Sequence, residues 1–147
     1  MIRVGVIGVG SLGQHHARVY AALPGCELVG IVDADPARAA EIARKNRCRA
    51  FARPSDLLGL VDAVSVVVPT ALHFEVGKAF LEAGVHCLIE KPLSIDLEEA
   101  DALIAVAAKH KALLQVGHIE RFNPAILALK EHRSEPLFIE AHRLGPY

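Results

Sequence analysis

The chain has 147 residues, 52% of them hydrophobic, and a formal net charge of −1. A chain of that length buries about 70% of the surface it would expose unfolded, enough for a core that needs no disulfide or structural metal. Its 16 basic and 17 acidic residues are interspersed, leaving no basic stripe for nucleic acid and no polybasic anchor for a membrane surface.

Residues 2–7 predict a strand, and Gly8-Val9-Gly10-Ser11-Leu12-Gly13 follows at once, with a helix expected over 12–23. Strand, glycine loop and helix have the spacing of a dinucleotide-binding fingerprint. Gly8 permits the tight turn, Gly10 lets backbone approach a pyrophosphate, and Gly13 lets the helix pack close to the strand. Ser11 and Leu12 lie at the helix N-terminus, where unpaired N–H groups hold phosphate. A second strand over 27–32 leads to Asp33, about twenty residues beyond Gly13. An acid there accepts hydrogen bonds from both hydroxyls of the adenosine ribose and repels a 2′-phosphate, so NAD is expected in preference to NADP.

The alternation continues with a helix over 36–46, opened by Asp35 as N-cap before Pro36. A short strand over 49–51, a brief helix over 54–59 and a strand over 63–68 come next. A helix over 72–83 stops at Gly84, and a strand over 85–89 follows. The helix over 97–109 is capped by Asp96 with Glu99 as its capping-box partner, and a strand over 112–116 completes about six parallel strands. The fold class is α/β, a doubly wound Rossmann-type, mostly parallel sheet. Residues 1–117 read as the dinucleotide-binding domain. Beyond them, Asn123 caps a helix over 125–132 with Pro124 at its first position, and 137–144 alternates like a strand that has no sheet to join. Residues 118–147 are therefore expected to be a connecting helix and the first strand of a second α/β domain, cut short at residue 147.

Cys26, Cys48 and Cys87 are scattered and odd in number, so they read as small hydrophobes in a reducing compartment rather than as disulfide partners or metal ligands. No apolar run approaches the roughly 18 to 20 residues of a membrane span, and the N-terminus lacks the pattern of an export leader. A cytoplasmic protein with no metal site is expected.

Glu90-Lys91-Pro92 stands at the end of the fifth strand, where open α/β sheets bind their ligands. Alone, such a pair is as readily a solvated ion pair worth under about 1 kcal/mol. It stands here in series with the Gly8, Gly10, Gly13 loop and Asp33, with Pro69-Thr70 and His73, with Ala83-Gly84-Val85-His86, and with Gly117 to Pro124. In that order the motifs resemble the glucose-fructose oxidoreductase and inositol dehydrogenase family (Gfo/Idh/MocA) over essentially the whole chain.

The resemblance implies an NAD-dependent enzyme that oxidises a secondary hydroxyl of a sugar or sugar nucleotide by hydride transfer. Lys91 would be the catalytic residue, pointing at the nicotinamide of the cofactor and the reacting carbon, its ammonium stabilising charge that builds on the substrate oxygen, with Glu90 beside it helping to place the cofactor. The base would be a His of the second domain, or Lys91 itself if burial lowers its pKa. Pro69 and Thr70 would border the ribose and pyrophosphate, or Thr70 would cap the following helix, and His73 would either join them or be an ordinary surface histidine. The Lys91-Pro92 bond stays open between cis and trans. Family members acting on nucleotide-linked N-acetylhexosamines carry a stretch like Gly117 to Pro124, which puts His118 and Arg121 at the substrate. Arg121 would either grip a phosphate or carboxylate in a bidentate contact or bridge to Glu120 or Glu90. His15 and His16 read as non-catalytic, with no acidic partner evident in the sequence. A homo-oligomer is implied for the longer form. The alternative is a non-catalytic NAD(H)-binding or sensing module; a methyl-donor-binding transferase would share the acid but leave Glu90-Lys91-Pro92 unexplained.

Overall fold

A computed structural model describes residues 1–131 together with 137, 138, 140 and 142. Six strands, β1 (Ile2–Ile7), β2 (Cys26–Val32), β3 (Arg49–Phe51), β4 (Ala63–Val66), β5 (His86–Ile89) and β6 (Leu114–Val116), form one sheet in the order β3-β2-β1-β4-β5-β6. Every pairing is parallel. The helices are α1 (Gly13–Ala22), α2 (Pro36–Asn46), α3 (His73–Glu82), α4 (Leu97–His110) and α5 (Pro124–Glu131). Strand order reverses direction between β1 and β4, and in doubly wound sheets that switch point opens the ligand crevice.

Two buried clusters show how the sheet is covered. On one face Ala17 of α1 and Ile42 and Ala43 of α2 pack on Val4, Val6, Leu28 and Ile31. On the other, Phe80 and Leu81 of α3 and Leu103 and Ala107 of α4 pack on Val64, Val66, Cys87 and Ile89. Full burial of a side chain such as Phe80 or Leu103 stabilises the fold by about 1.5–3 kcal/mol. With both faces covered, the strands carry the continuous apolar runs seen in the sequence. Burial also pushes the thiols of Cys48 and Cys87 up, to about 11 and about 12, so neither is a ready nucleophile.

Local chemistry sets the helix ends. Asp35 caps α2 by accepting from the N–H groups of Ala37 (2.9 Å) and Arg38 (3.2 Å). Asp96 caps α4 by accepting from Glu99 N–H at 2.8 Å, but the Glu99 carboxylate reaches Ile95 N–H rather than completing a box on Asp96. Two strands are shorter than the apolar runs suggest. β4 ends at Val66 because the chain, after one more bond from Val67 N–H to Ile7 O at 2.7 Å, enters Pro69, which has no N–H to continue the ladder. β6 begins at Leu114 because Ala112 N–H closes α4 on Ala107 O at 2.9 Å. A 3-10 turn at Thr70–Leu72 leads into α3, and another at Pro54–Leu57 replaces the brief helix expected over 54–59.

The chain forms two compact units, Met1–Gly117 and His118–Tyr147. In the second, Asn123 caps α5 by accepting from Ala125 N–H at 2.9 Å. The strand expected over 137–144, and His132 at the end of the expected helix, lie largely outside the described residues. Among the described residues, no helix is long and apolar enough to cross a membrane.

Candidate nucleotide-binding and catalytic site

The loop between β1 and α1 is built by close backbone approach. Gly8 has φ +85, and a Cβ on it would strike the Val67 carbonyl at the exit of β4. A Cβ on Gly13 would collide with the Gly8 carbonyl, so α1 starts directly against the turn. Gly10 differs: nothing lies within 4 Å of where its Cβ would stand, so this stretch of backbone faces open space. The N–H groups of Ser11 and Leu12 have no acceptor among the described residues. Open room and free donors at a helix start fit a pyrophosphate.

Asp33 follows β2 beside this loop, and its carboxylate is already organised. Oδ2 accepts from Val9 N–H at 2.7 Å, while Oδ1 accepts from Asp35 N–H at 2.9 Å and from Arg38 Nη2 at 2.9 Å and Nε at 3.1 Å. Burial pushes this carboxyl up, but Arg38 and the two backbone donors outweigh it and hold Asp33 below the ordinary aspartate value. Arg38 was not anticipated, although an arginine in the first turn of the helix after the acid is a signal the sequence carries. Next to Asp33 a cavity of about 180 Å³ is lined by Ile7, Gly8, Val32, Ala52, Val68 and Leu72 among others. Its apolar walls with one carboxylate at the rim suit an adenosine.

The Glu90-Lys91-Pro92 turn leaves β5 at the same edge of the sheet, and its Lys91-Pro92 bond is cis. Lys91 is exposed, and no carboxylate among the described residues lies within ion-pair distance of it. Glu90 is only 6% exposed and turns inward: one oxygen accepts from Lys91 N–H at 3.1 Å, and the other lies 3.3 Å from His16 Nε2. Gly117 leaves room for it, since a Cβ there would sit 2.5–2.8 Å from the carboxylate atoms.

Glu90 thus braces the turn, and His16 has the acidic partner that the sequence did not reveal. His73 is 1% exposed, with Nδ1 2.9 Å from Pro92 O and Nε2 2.9 Å from Val68 O; both partners are acceptors, so a neutral ring donates to one of them. It ties the exit of β4 to the far side of the Lys91 turn. Thr70 is half-buried and Pro69 exposed at the start of the 3-10 turn. In the second unit His118 and Arg121 are exposed, and Glu120 accepts from Asn123 Nδ2 at 2.8 Å.

Fold and site together define a dinucleotide-binding α/β domain that carries an exposed lysine at its ligand edge. Residues 2–118 match the GFO_IDH_MocA family model, described as "Oxidoreductase family, NAD-binding Rossmann fold", and the chain belongs to this family. It is 50% identical over 147 residues to the UDP-N-acetylglucosamine 3-dehydrogenase of Acidithiobacillus ferrooxidans, covering 99% of this chain and 46% of that one. It is 33% identical to an inositol 2-dehydrogenase of Rhizobium meliloti, covering 88% and 40%. The crystal structure of the Acidithiobacillus enzyme superposes with a TM-score of 0.84 at 52% identity, over 89% of this chain and 43% of that one. A scyllo-inositol dehydrogenase from Lactobacillus casei, solved with NAD(H) and scyllo-inositol, superposes with a TM-score of 0.83 at 28% identity, over 89% and 40%. The chain spans less than half the length of each of these relatives.

Proposed function

We propose that this chain is the cofactor-binding part of an NAD-dependent oxidoreductase that oxidises a secondary hydroxyl of a sugar nucleotide, with UDP-N-acetylglucosamine oxidised at C3 as the specific substrate. The observation that carries this reading is Lys91, exposed and without an ion-pair partner among the described residues, on a turn braced against the same helix that presents the glycine loop. The 50% identity to a UDP-N-acetylglucosamine 3-dehydrogenase supports the choice of substrate.

The residues fit the cofactor at both ends. Ser11 and Leu12 N–H groups and the open backbone at Gly10 would hold the pyrophosphate, and Asp33 would hold the adenosine ribose beside the apolar cavity. Asp33 would disfavour a 2′-phosphate, which makes NAD the preferred cofactor. Bound NAD supplies the hydride acceptor. The Lys91 ammonium, held out from the sheet edge, stabilises negative charge on the substrate oxygen as its hydroxyl proton passes to a base and the carbon gives its hydride to NAD. That base is a histidine of the second domain, or Lys91 itself in its neutral form. His118 and Arg121 would meet the substrate, Arg121 through its diphosphate. We place the protein in the cytoplasm, in keeping with three free cysteines, and expect it to act as a homo-oligomer.

Fluorescence titration with NADH and NADPH tests the cofactor, and reduction of NAD by UDP-N-acetylglucosamine, followed in the full-length protein, tests the reaction. Lys91→Ala should bind NADH within about threefold of wild type and lose turnover by at least about a hundredfold. Absence of NADH binding, or undiminished turnover by Lys91→Ala, would overturn the reading.

A further inference from the structure

A buried polar chain runs beneath the Lys91 turn. Tyr20 OH lies 2.8 Å from Ser65 Oγ, Ser65 Oγ lies 3.1 Å from His16 Nδ1, and His16 Nε2 lies 3.3 Å from Glu90 Oε1. Ser65 is 0% exposed, in the middle of β4. Opposite the Glu90 carboxylate, which only accepts, a ring proton is best placed on Nε2, at an ion-pair approach of 3.3 Å. Nδ1 of a neutral ring is then an acceptor; it takes the Ser65 hydroxyl proton and leaves Ser65 Oγ to accept from Tyr20. Burial lowers the pKa of His16 despite the opposing pull of Glu90, in keeping with a neutral ring. No buried side-chain donor or acceptor is left over among the described residues.

We propose that His16 is a positioning residue for Lys91: it holds the Glu90 carboxylate, which holds the Lys91 N–H, while Tyr20 and Ser65 select the ring tautomer that can do this. The proposal rests on the reading of Lys91 as the group that meets the substrate oxygen. Lys91 has no side-chain partner among the described residues, so its direction there is inherited from the backbone of the turn. That backbone is gripped on one side by Glu90 and on the other by His73 at Pro92 O. Because His16 belongs to α1, the glycine loop and the Lys91 turn become one rigid piece, which sets the lysine relative to a bound dinucleotide.

Nitrogen NMR of the histidine rings in the 147-residue chain tests the geometry without any need for activity. His16 should be protonated at Nε2 with Nδ1 accepting, and Ser65→Ala or Tyr20→Phe should weaken that tautomer preference. The Lys91 amide resonance should move in His16→Leu and return toward its wild-type position in His16→Gln, whose side-chain N–H can reach Glu90. In the full-length protein, His16→Leu should lower kcat by roughly 10- to 100-fold with KM for NAD within about threefold, and His16→Gln should recover most of it. A ring protonated at Nδ1 in the wild type, or an unmoved Lys91 amide in folded His16→Leu, would overturn the proposal, as would a rise in KM with kcat unchanged. If His16→Leu does not fold, the wild-type, Ser65→Ala and Tyr20→Phe spectra decide. If the protein binds NADH but oxidises no sugar nucleotide, the oxidoreductase reading fails while the ring spectra still decide the role of His16.

Discussion

Arg38 and Asp33, five residues apart, are joined through two guanidinium nitrogens on a single carboxylate oxygen, at 2.9 and 3.1 Å. The acid that would read the adenosine ribose therefore keeps beside it a cation able to grip a phosphate. Asp33→Ala removes the repulsion of a 2′-phosphate and frees Arg38 at the same time. The ratio of NADPH to NADH affinity should rise by roughly 10- to 100-fold, and adding Arg38→Ala should reverse most of that gain. Fluorescence titration of the three proteins reads the ratio; an unchanged ratio in Asp33→Ala would show that specificity lies elsewhere.

The loop glycines should separate stability from binding. Gly13→Ala drives a Cβ into the Gly8 carbonyl, a backbone atom that cannot step aside, and should destabilise the chain by about 2 kcal/mol or more. Gly10→Ala meets open space and should change stability by less than about 0.5 kcal/mol, yet weaken NADH binding by at least about tenfold because its methyl stands where the pyrophosphate approaches. Urea unfolding and NADH titration on the same preparations distinguish the two.

Gly117→Ala places a methyl 2.5–2.8 Å from the Glu90 carboxylate atoms. The predicted cost is about 1–3 kcal/mol, the range for overpacking a filled site. In a Glu90→Ala background the same substitution should cost little, and a double-mutant cycle measured by urea unfolding shows whether the two effects are coupled.

Asp62 and Arg3 pin the start of β1 to the turn before β4 through three bonds of 2.6–3.2 Å. The Arg3 side chain, followed by its backbone N–H, holds the Asp62 carboxyl down at about 2. A carboxyl depressed in the fold contributes stability that is complete above the ordinary aspartate range and is lost as pH falls toward about 2. Asp62→Asn should therefore flatten the acid limb of the stability curve between about pH 4 and 2 and leave its slope above pH 5 unchanged. An acid limb identical to wild type would mean that the exposed pair is fully screened.

Features set by near neighbours were legible in the amino-acid sequence. The caps at Asp35, Asp96 and Asn123 depend on contacts two or three residues apart, so spacing alone locates them, and the glycine loop and Asp33 were legible from their spacing along the chain, although Gly8 meets Val67 and Asp33 meets Val9 only in the fold. Alternating apolar runs likewise specified a sheet buried on both faces, because such runs are stable only under helices on either side. The resemblance pointed to Lys91, which the structure leaves exposed at the ligand edge.

Only the tertiary structure decided what surrounds that lysine. His16 and Ser65 are 49 residues apart and meet because the chain crosses over to lay β4 against β1, and Glu90 joins them because β5 lies beside β4. Nothing in the sequence showed that His73 is buried, but the packing of α3 buries it, and its ring lies against the carbonyls of Val68 and Pro92. Hydrogen-bond networks of this kind leave no periodic trace in a sequence: each member is a polar residue on an otherwise apolar face, and its meaning is set by the strand placed next to it.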